Sequence, residues 1–141
     1  MAEENKGHLV FATGSSLYAL PADRVSEVVS LPLLTRVPGA PGHLLGVFAH
    51  RGEVVPVVDV AALAGRAAES TYRRAVLIRG NKGAVAFTAT RVAGVSHVTG
   101  SMEALGVSGF QAHMRGPAKA SMGDVAVIDP DGLIEFLSAW G

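Results

Sequence analysis

Short apolar runs separated by glycine- and proline-rich breaks set the rhythm of this chain. Residues 8–13 and 17–20 flank Gly14-Ser15-Ser16, the arrangement of a β-hairpin. Pro21-Ala22-Asp23-Arg24 reads as a turn or a single helical turn, because proline suits the first helical position. Residues 25–31 follow as a strand. The segment 31–42 holds three prolines and two glycines, which excludes regular structure. Leu44 and Leu45 are expected to pin that loop to the core. Residues 47–49 and 54–58 then give two strands around a turn at Arg51-Gly52. Pro56 lies inside the second of them. A central strand of a flat sheet rarely accepts proline, because its missing N–H breaks the ladder. A short, edge-type or sharply bent strand in a small barrel does accept it.

Asp59 stands where an N-cap would stand before 60–64, and Gly65 would end that short helix. Residues 66–70 are small and polar, which suits a linker between two halves. Residues 72–79 and 84–90 form strands around Gly80-Asn81-Lys82-Gly83, a turn that tolerates positive φ. Val92, Val95 and Val98 continue an extended segment with Gly94 as a bulge. Residues 101–121, rich in Gly, Met and Ala, read as a loop with one weak strand.

The end of the chain repeats an earlier theme. Gly123-Asp124-Val125-Ala126-Val127-Ile128-Asp129 echoes Gly52-Glu53-Val54-Val55-Pro56-Val57-Val58-Asp59, one residue shorter. In both, an apolar strand ends on an aspartate before a short apolar helix. Asp129 would cap 130–138, with Pro130 at the first position and Leu133, Ile134 and Leu137 on one face. A tight turn through Asp129-Pro130-Asp131-Gly132 between two strands is the alternative.

A length of 141 residues points to one domain, long enough to bury roughly two thirds of its unfolded surface. With 49% hydrophobic and only 17% charged residues, apolar surface is left over for partners. Twelve basic and twelve acidic residues cancel, so no strong field draws in nucleic acid or an anionic membrane. One Trp and two Tyr argue further against a nucleic-acid-binding barrel, which usually shows exposed aromatics and a basic stripe. The absence of cysteine removes disulfides and thiolate metal sites. No apolar run reaches the ~18 residues that span a bilayer, and the polar start is unlike a signal peptide. A cytoplasmic protein without direct membrane insertion is the expectation.

Catalytic constellations are missing from the sequence. His8, His43, His50, His97 and His113 are never spaced i, i+3 or i+4, so no metal site is expected. Such isolated histidines usually sit at strand edges or half-buried. Gly106-Val107-Ser108-Gly109 falls one residue short of a nucleophile elbow. No glycine-rich loop opens a long helix, which leaves phosphate binding unsupported. Asp59 and Asp129 are better explained as structural caps than as a catalytic pair.

Several motifs resemble those of the CheW-like family of chemotaxis coupling proteins. Val37-Pro38-Gly39-Ala40-Pro41 matches V-P-x-x-P. Gly46-Val47, Arg51-Gly52, Pro56-Val57 and Asp59-Val60 match G-V-x-N-L-R-G-x-x-x-P-V-x-D-L. Upstream, Leu9-Val10-Phe11, Gly14, Tyr18-Ala19-Leu20-Pro21 and the V-x-E-[IV] of Val25-Ser26-Glu27-Val28 agree as well. The match is specific over 9–60 and holds in outline over 72–137.

That resemblance implies an all-β fold of two small five-stranded SH3-like β-barrels packed side by side, with short helical turns. A single domain over 8–139 would divide into lobes at 17–65 and 71–137, with the strand 8–13 able to pair with either. The apolar groove between the barrels would be the functional surface. The implied function is a non-catalytic adaptor, without cofactor or metal, coupling chemoreceptors to a CheA-like histidine kinase in receptor arrays. Arg51 would meet the cytoplasmic tip of a methyl-accepting chemoreceptor, offering a fixed fork of donors to a carboxylate or backbone carbonyl. A merely solvated turn charge is the plain alternative for Arg51. Val25 and Glu27, two residues apart on one strand face, look like further receptor contacts. Their plain alternative is a strand edge with one buried and one rim residue. Gly46 would keep a side chain out of a close approach. The kinase regulatory domain would meet an apolar barrel end.

The departures are specific. Ala49-His50 replaces the usual N-L, Ala61 the arginine after D-L, and Ala89-Thr90-Arg91-Val92 the V-D-x-V of the second half. No helix is expected to extend past the barrels, since the chain ends at Gly141. These losses motivate a second reading, a receptor-binding CheW-like protein that does not bind the kinase.

Overall fold

A computed structural model gives the fold and describes residues 6–66, 72–81 and 83–138. Ten strands make two sheets. β1 (Lys6–Thr13), β2 (Ser16–Pro21), β8 (Arg91–Gly100), β9 (Met114–Ala120) and β10 (Gly123–Ile128) close into a barrel in the order β1-β2-β10-β9-β8. β3 (Val25–Ser30), β4 (Leu44–His50), β5 (Glu53–Val58), β6 (Arg74–Gly80) and β7 (Gly83–Ala89) form a five-stranded sheet in the order β3-β6-β7-β5-β4. Short 3-10 turns lie at Ala22–Arg24 and Gly109–His113, and the helices are α1 (Val60–Leu63) and α2 (Pro130–Ser138).

The lobes are therefore not the consecutive stretches 17–65 and 71–137. The second sheet is one unbroken piece of chain, β3 to β7, inserted between β2 and β8 of the barrel. β1 pairs with β2 on one side and β8 on the other, so the strand 8–13 belongs to the barrel. The decisive pairing is parallel and distant, with Ala126 opposite Tyr18 and Val127 opposite Ala19. A local hydrophobic pattern does not announce such a pairing. The expected linker at 66–70 lies, apart from Arg66, outside the described residues. It joins α1 to β6 after β5, within one sheet, and so does not separate the lobes.

Individual expectations resolve into geometry. Gly14 takes φ 62 in the β1–β2 hairpin, where Thr13 faces Ser16. Gly94 (φ 121) sits at a bulge that shifts the β1–β8 register between Val10 and Phe11. Pro56 lies in a strand with neighbours on both sides, β4 and β7. It faces Val47, whose N–H and C=O both bond to Thr35 on the far side, each at 2.8 Å. Val47 and Pro56 are thus a non-hydrogen-bonded pair, and the proline nitrogen points toward β7. The ladder to β7 begins only at Val57, so no hydrogen bond is lost.

Strand alternation distributes the side chains over three apolar clusters. The barrel interior takes Val10, Ala19, Val98, Ala118, Val125 and Val127. The second sheet encloses Phe48, Val55, Val57, Ala75, Leu77, Ala84 and Ala86. Phe11, Leu20, Ile78, Phe87, Ile128 and Leu133 meet between the two sheets, all fully buried. The barrel interior holds only small buried residues, the second sheet adds Phe48 and Leu77, and the layer between takes most of the bulky side chains. The expected apolar groove between the barrels is consequently a filled core rather than an open surface. Polar ties cross the same boundary. Arg24 donates to both carboxylate oxygens of Asp131 on α2 (2.8 Å each) and to the Arg79 carbonyl (3.1 Å). Arg66, just past α1, donates to the hydroxyls of Ser16 and Tyr18 on β2.

The internal echo is a structural repeat, with a constant offset of seventy residues rather than one residue missing. His43 stands before β4 and His113 before β9, and their carbonyls accept from the N–H groups of Asp59 and Asp129 (2.8 and 2.9 Å). Each aspartate then starts a helix, its carbonyl accepting from Leu63 or Leu133. Pro130–Ser138 is helical, which excludes the tight-turn alternative at Asp129. Asp129 accepts from the Gly132 N–H at 3.3 Å and from Arg115 at 3.0 Å.

Asp59 is fully buried, and its Oδ1 accepts from the N–H groups of Ala61 (2.9 Å) and Ala62 (3.3 Å) and from the Tyr72 hydroxyl. Loss of an ordinary N-cap costs about 1 kcal/mol. Asp59→Ala also strips the Tyr72 hydroxyl of this acceptor, so it is expected to destabilise by about 2–3 kcal/mol. Asp59→Asn keeps an acceptor oxygen and is expected to lose about half as much or less. Urea denaturation of the two variants checks the order.

Candidate functional site

The β4–β5 hairpin turns through Arg51 and Gly52, with His50 facing Glu53. Both central residues have positive φ, 51° at Arg51 and 79° at Gly52, as a type I′ turn requires. Glycine adopts this backbone freely. Arginine rarely does, and among the described residues Arg51 is the sole non-glycine with positive φ.

A carboxylate from another strand holds this turn. Glu27 on β3 accepts from Arg51 Nη2 at 2.6 Å through Oε1, and its Oε2 lies 2.5 Å from His50 Nε2. The hydrogen bond to His50, with the Arg51 charge second among the favourable influences, holds the Glu27 carboxyl below the ordinary range for a glutamate. Glu27 and His50 are about a quarter exposed, whereas the Arg51 side chain is 77% exposed. Arg51 thus has one donor engaged internally and most of its surface in solvent. Beside it, Glu53 pairs with Arg79 of β6 at 2.8 and 3.2 Å and is likewise held low by that guanidinium. Ala49 and Val54 are exposed next to the turn and give it an apolar flank.

β3 and β4 are the two ends of the second sheet. No backbone ladder joins them. Val29, Leu31 and Leu34 fill the inside between them, and Glu27 spans the rim from β3 to the end of β4. The same side chains that shape the turn therefore close the sheet toward a barrel.

The four expected receptor contacts separate in the structure. Glu27 and Arg51 touch directly. Val25 and Glu27 do not share a strand face, because a bulge places Val25 opposite Ile78 and Glu27 opposite Leu77. The extra residue at Ser26, whose hydroxyl bonds the Leu77 carbonyl (3.2 Å), rotates the strand by one side. Val25 consequently packs on the layer between the sheets. Gly46 is buried rather than presented to a partner. A Cβ there would come within 2.7 Å of the Thr35 carbonyl oxygen, so the close approach it permits is that of the 31–42 loop. Its φ of 156° strengthens the case for glycine.

The residue that sequence reasoning did not assign is His50. The signal was present as a histidine where the family pattern has leucine. Its partner, Glu27, lies 23 positions away, and only strand packing joins them. Among the described residues, no group of three His, Cys, Asp or Glu side chains is placed to hold a metal ion, and no helix is long and apolar enough to cross a membrane.

Comparison with known proteins agrees with this architecture. The CheW-like domain family matches residues 7–137. Protein FrzA of Myxococcus xanthus is 42% identical over 50 residues, 36% of this chain and 31% of FrzA. The chemotaxis protein CheW of Helicobacter pylori is 35% identical over 81 residues, 56% of this chain and 49% of that one. CheW of Rhizobium meliloti is 34% identical over 71 residues, 50% and 46% of the two chains. The matched stretches thus span half or less of these curated relatives. In three dimensions the chain is similar to the scaffolding protein TtCheW from Thermoanaerobacter tengcongensis, with TM-score 0.78 at 21% identity over 92% of this chain and 88% of that one. With a family match running almost from end to end and the two-sheet architecture in place, this chain belongs to the CheW-like domain family.

Proposed function

We propose that this protein is a non-catalytic adaptor that couples chemoreceptors to a CheA-like histidine kinase in bacterial chemotaxis-type signalling. The observation that carries the reading is the exposed Arg51 turn, supported from below by Glu27 and bordered by Ala49 and Val54. A charged fork beside apolar residues suits the helical cytoplasmic tip of a receptor, where a carboxylate meets the guanidinium and aliphatic side chains cover the flank. Glu27 and Arg51 are the direct contacts in this reading. Val25 and Gly46 act from beneath, one by anchoring β3 and the other by seating the 31–42 loop. An adaptor performs no chemistry. It biases a kinase by holding receptor and kinase in fixed relation, inside arrays to which it is recruited from the cytoplasm.

The kinase contact is the finer part of the proposal. It needs an exposed apolar patch more than any single charge. Away from the Arg51 turn, Leu33 on the second lobe and Val95 and Val107 on the barrel lobe are apolar and more than half exposed. They favour a retained kinase surface over the receptor-only reading, which rests on the replaced family residues at Ala49, Ala61 and Thr90.

Arg51→Ala is expected to weaken co-sedimentation with receptor about tenfold, the scale of losing a charge-assisted pair at an interface. The pair it removes is mostly exposed, so the melting temperature is expected to fall by less than about 4 °C. Unchanged receptor binding by the folded variant would remove Arg51 from the interface. Calorimetric titration of the regulatory domain of the kinase is expected to show saturable binding. No heat and no co-elution at high micromolar concentration would leave the receptor-only adaptor as the better reading.

A further inference from the structure

We infer that His50 is a positioning residue for the docking turn, whose protonation releases the Arg51 guanidinium from Glu27 to an acidic side chain on the partner. Glu27 has two oxygens and two cationic candidates for them. Oε2 lies 2.5 Å from His50 Nε2 and Oε1 lies 2.6 Å from Arg51 Nη2. A neutral imidazole supplies at most one hydrogen bond and no charge, so the guanidinium alone neutralises the carboxylate and is drawn inward. An imidazolium supplies both the bond and the charge. Arg51 is then redundant for Glu27, and its fork is available to another carboxylate.

The surroundings fix the sign. From β3 the facing group is Glu27, from the turn Arg51, from β5 Glu53, and from β6 Arg79, which is already paired to Glu53. Two carboxylates and two guanidiniums cancel, so the turn is neutral when His50 is neutral and carries one positive charge when it is protonated. The Phe48 ring, 5.8 Å away edge to face, backs the imidazole and leaves it about a quarter exposed. Histidine changes charge between about pH 5 and 8, the range in which a cell can use the difference. A leucine at this position, the residue of the family pattern, would pack on Phe48 but would leave the Glu27–Arg51 pair without a titratable neighbour to modulate it. The inferred preference is thus for a partner segment with an exposed Asp or Glu, bound more tightly as pH falls.

The partner half of the inference rests on the adaptor reading, and the charge coupling within the turn does not. Both are tested on the full chain. Isotope-labelled protein is followed by NMR from pH 8 to pH 5, recording the His50 ring and the Arg51 Nε–Hε signal. The Arg51 signal is expected to move with the midpoint of His50, and to be flat over that range in His50→Leu and in His50→Gln. The glutamine variant keeps a hydrogen bond to Glu27 without titrating, and it serves if the leucine variant fails to fold. An Arg51 signal that ignores His50, or that moves equally in the variants, overturns the inference. In the second arm, a purified receptor tip fragment is titrated at pH 5.5 and pH 8. Wild type is expected to bind about fivefold more tightly at the lower pH, the lower end of usual coupling between sites. His50→Leu is expected to bind equally at both. A pH effect that persists in His50→Leu belongs to the receptor and overturns the partner half, while leaving the adaptor reading intact. No receptor binding at either pH, together with a coupled Arg51 signal, overturns the adaptor reading while the charge coupling stands.

Discussion

Everything else in the molecule hangs on the apolar layer between the two sheets. Phe11 and Leu20 come from the barrel, Ile78 and Phe87 from the second sheet, and Ile128 and Leu133 from the last strand and helix. The buried residues of the barrel interior are valine and alanine alone, and the second sheet is already filled by Phe48 and Leu77 beside its valines and alanines, so these six side chains pack outside both interiors. Each sheet therefore has two apolar faces, one turned inward and one turned on its neighbour. A lobe by itself would expose the second face, so the lobes are interdependent. The chain path reinforces this. It leaves the barrel after β2, completes the second sheet, and returns to close the barrel with β10 against β2. Arg24–Asp131 and the bonds of Arg66 to Ser16 and Tyr18 add polar ties at the margins of the same layer.

Around this layer the molecule is built twice. A histidine carbonyl, a hairpin, a buried-face strand, an aspartate and a short helix recur at a constant offset. The two copies diverge where they meet solvent. The first hairpin turns through Arg51-Gly52 between His50 and Glu53, whereas the second turns through Ser121-Met122 between Ala120 and Gly123. The aspartates have diverged too: Asp59 is buried against Tyr72, and Asp129 pairs with the partly exposed Arg115. Scaffold elements are kept in both halves, while the turns differ: the first carries Arg51 within the turn itself, and the second is flanked by an exposed Lys119–Asp124 pair. That division lets a single hairpin change its contacts without disturbing the strands that present it.

In that hairpin, support and display are carried by the same side chains. Glu27 closes the rim of the second sheet and at the same time positions the turn that Arg51 occupies. A substitution at Glu27 therefore disturbs the rim as well as the turn, whereas one at the exposed Arg51 guanidinium changes mainly the surface that the turn presents. Val25 and Gly46 act through packing alone, since one is turned to the core and the other lies beneath Thr35. The four residues picked out by the motif are thus a mixture of surface groups and the framework beneath them.

The sequence alone determined most of the strand-and-turn order outside 101–121, the β4–β5 turn at Arg51-Gly52, the bulge at Gly94 and the helix start at Asp59, and it narrowed Asp129 to a helix start or a tight turn. Each of these is a local property. Alternation, positive φ at glycine and the reach of a carboxylate to the next N–H groups are all set within a few residues. Tertiary structure decided what depends on distant partners. The membership of the two sheets turns on a parallel pairing between β2 and β10, more than a hundred residues apart. One bulge at Ser26 moved Val25 and Glu27 to opposite faces, because a single extra residue inverts a period of two. The groove expected between the lobes became a core once bulky side chains from both sheets met there. His50 gained a role only when β3 and β4, the two ends of one sheet, were brought within hydrogen-bond reach, which no spacing along the chain encodes.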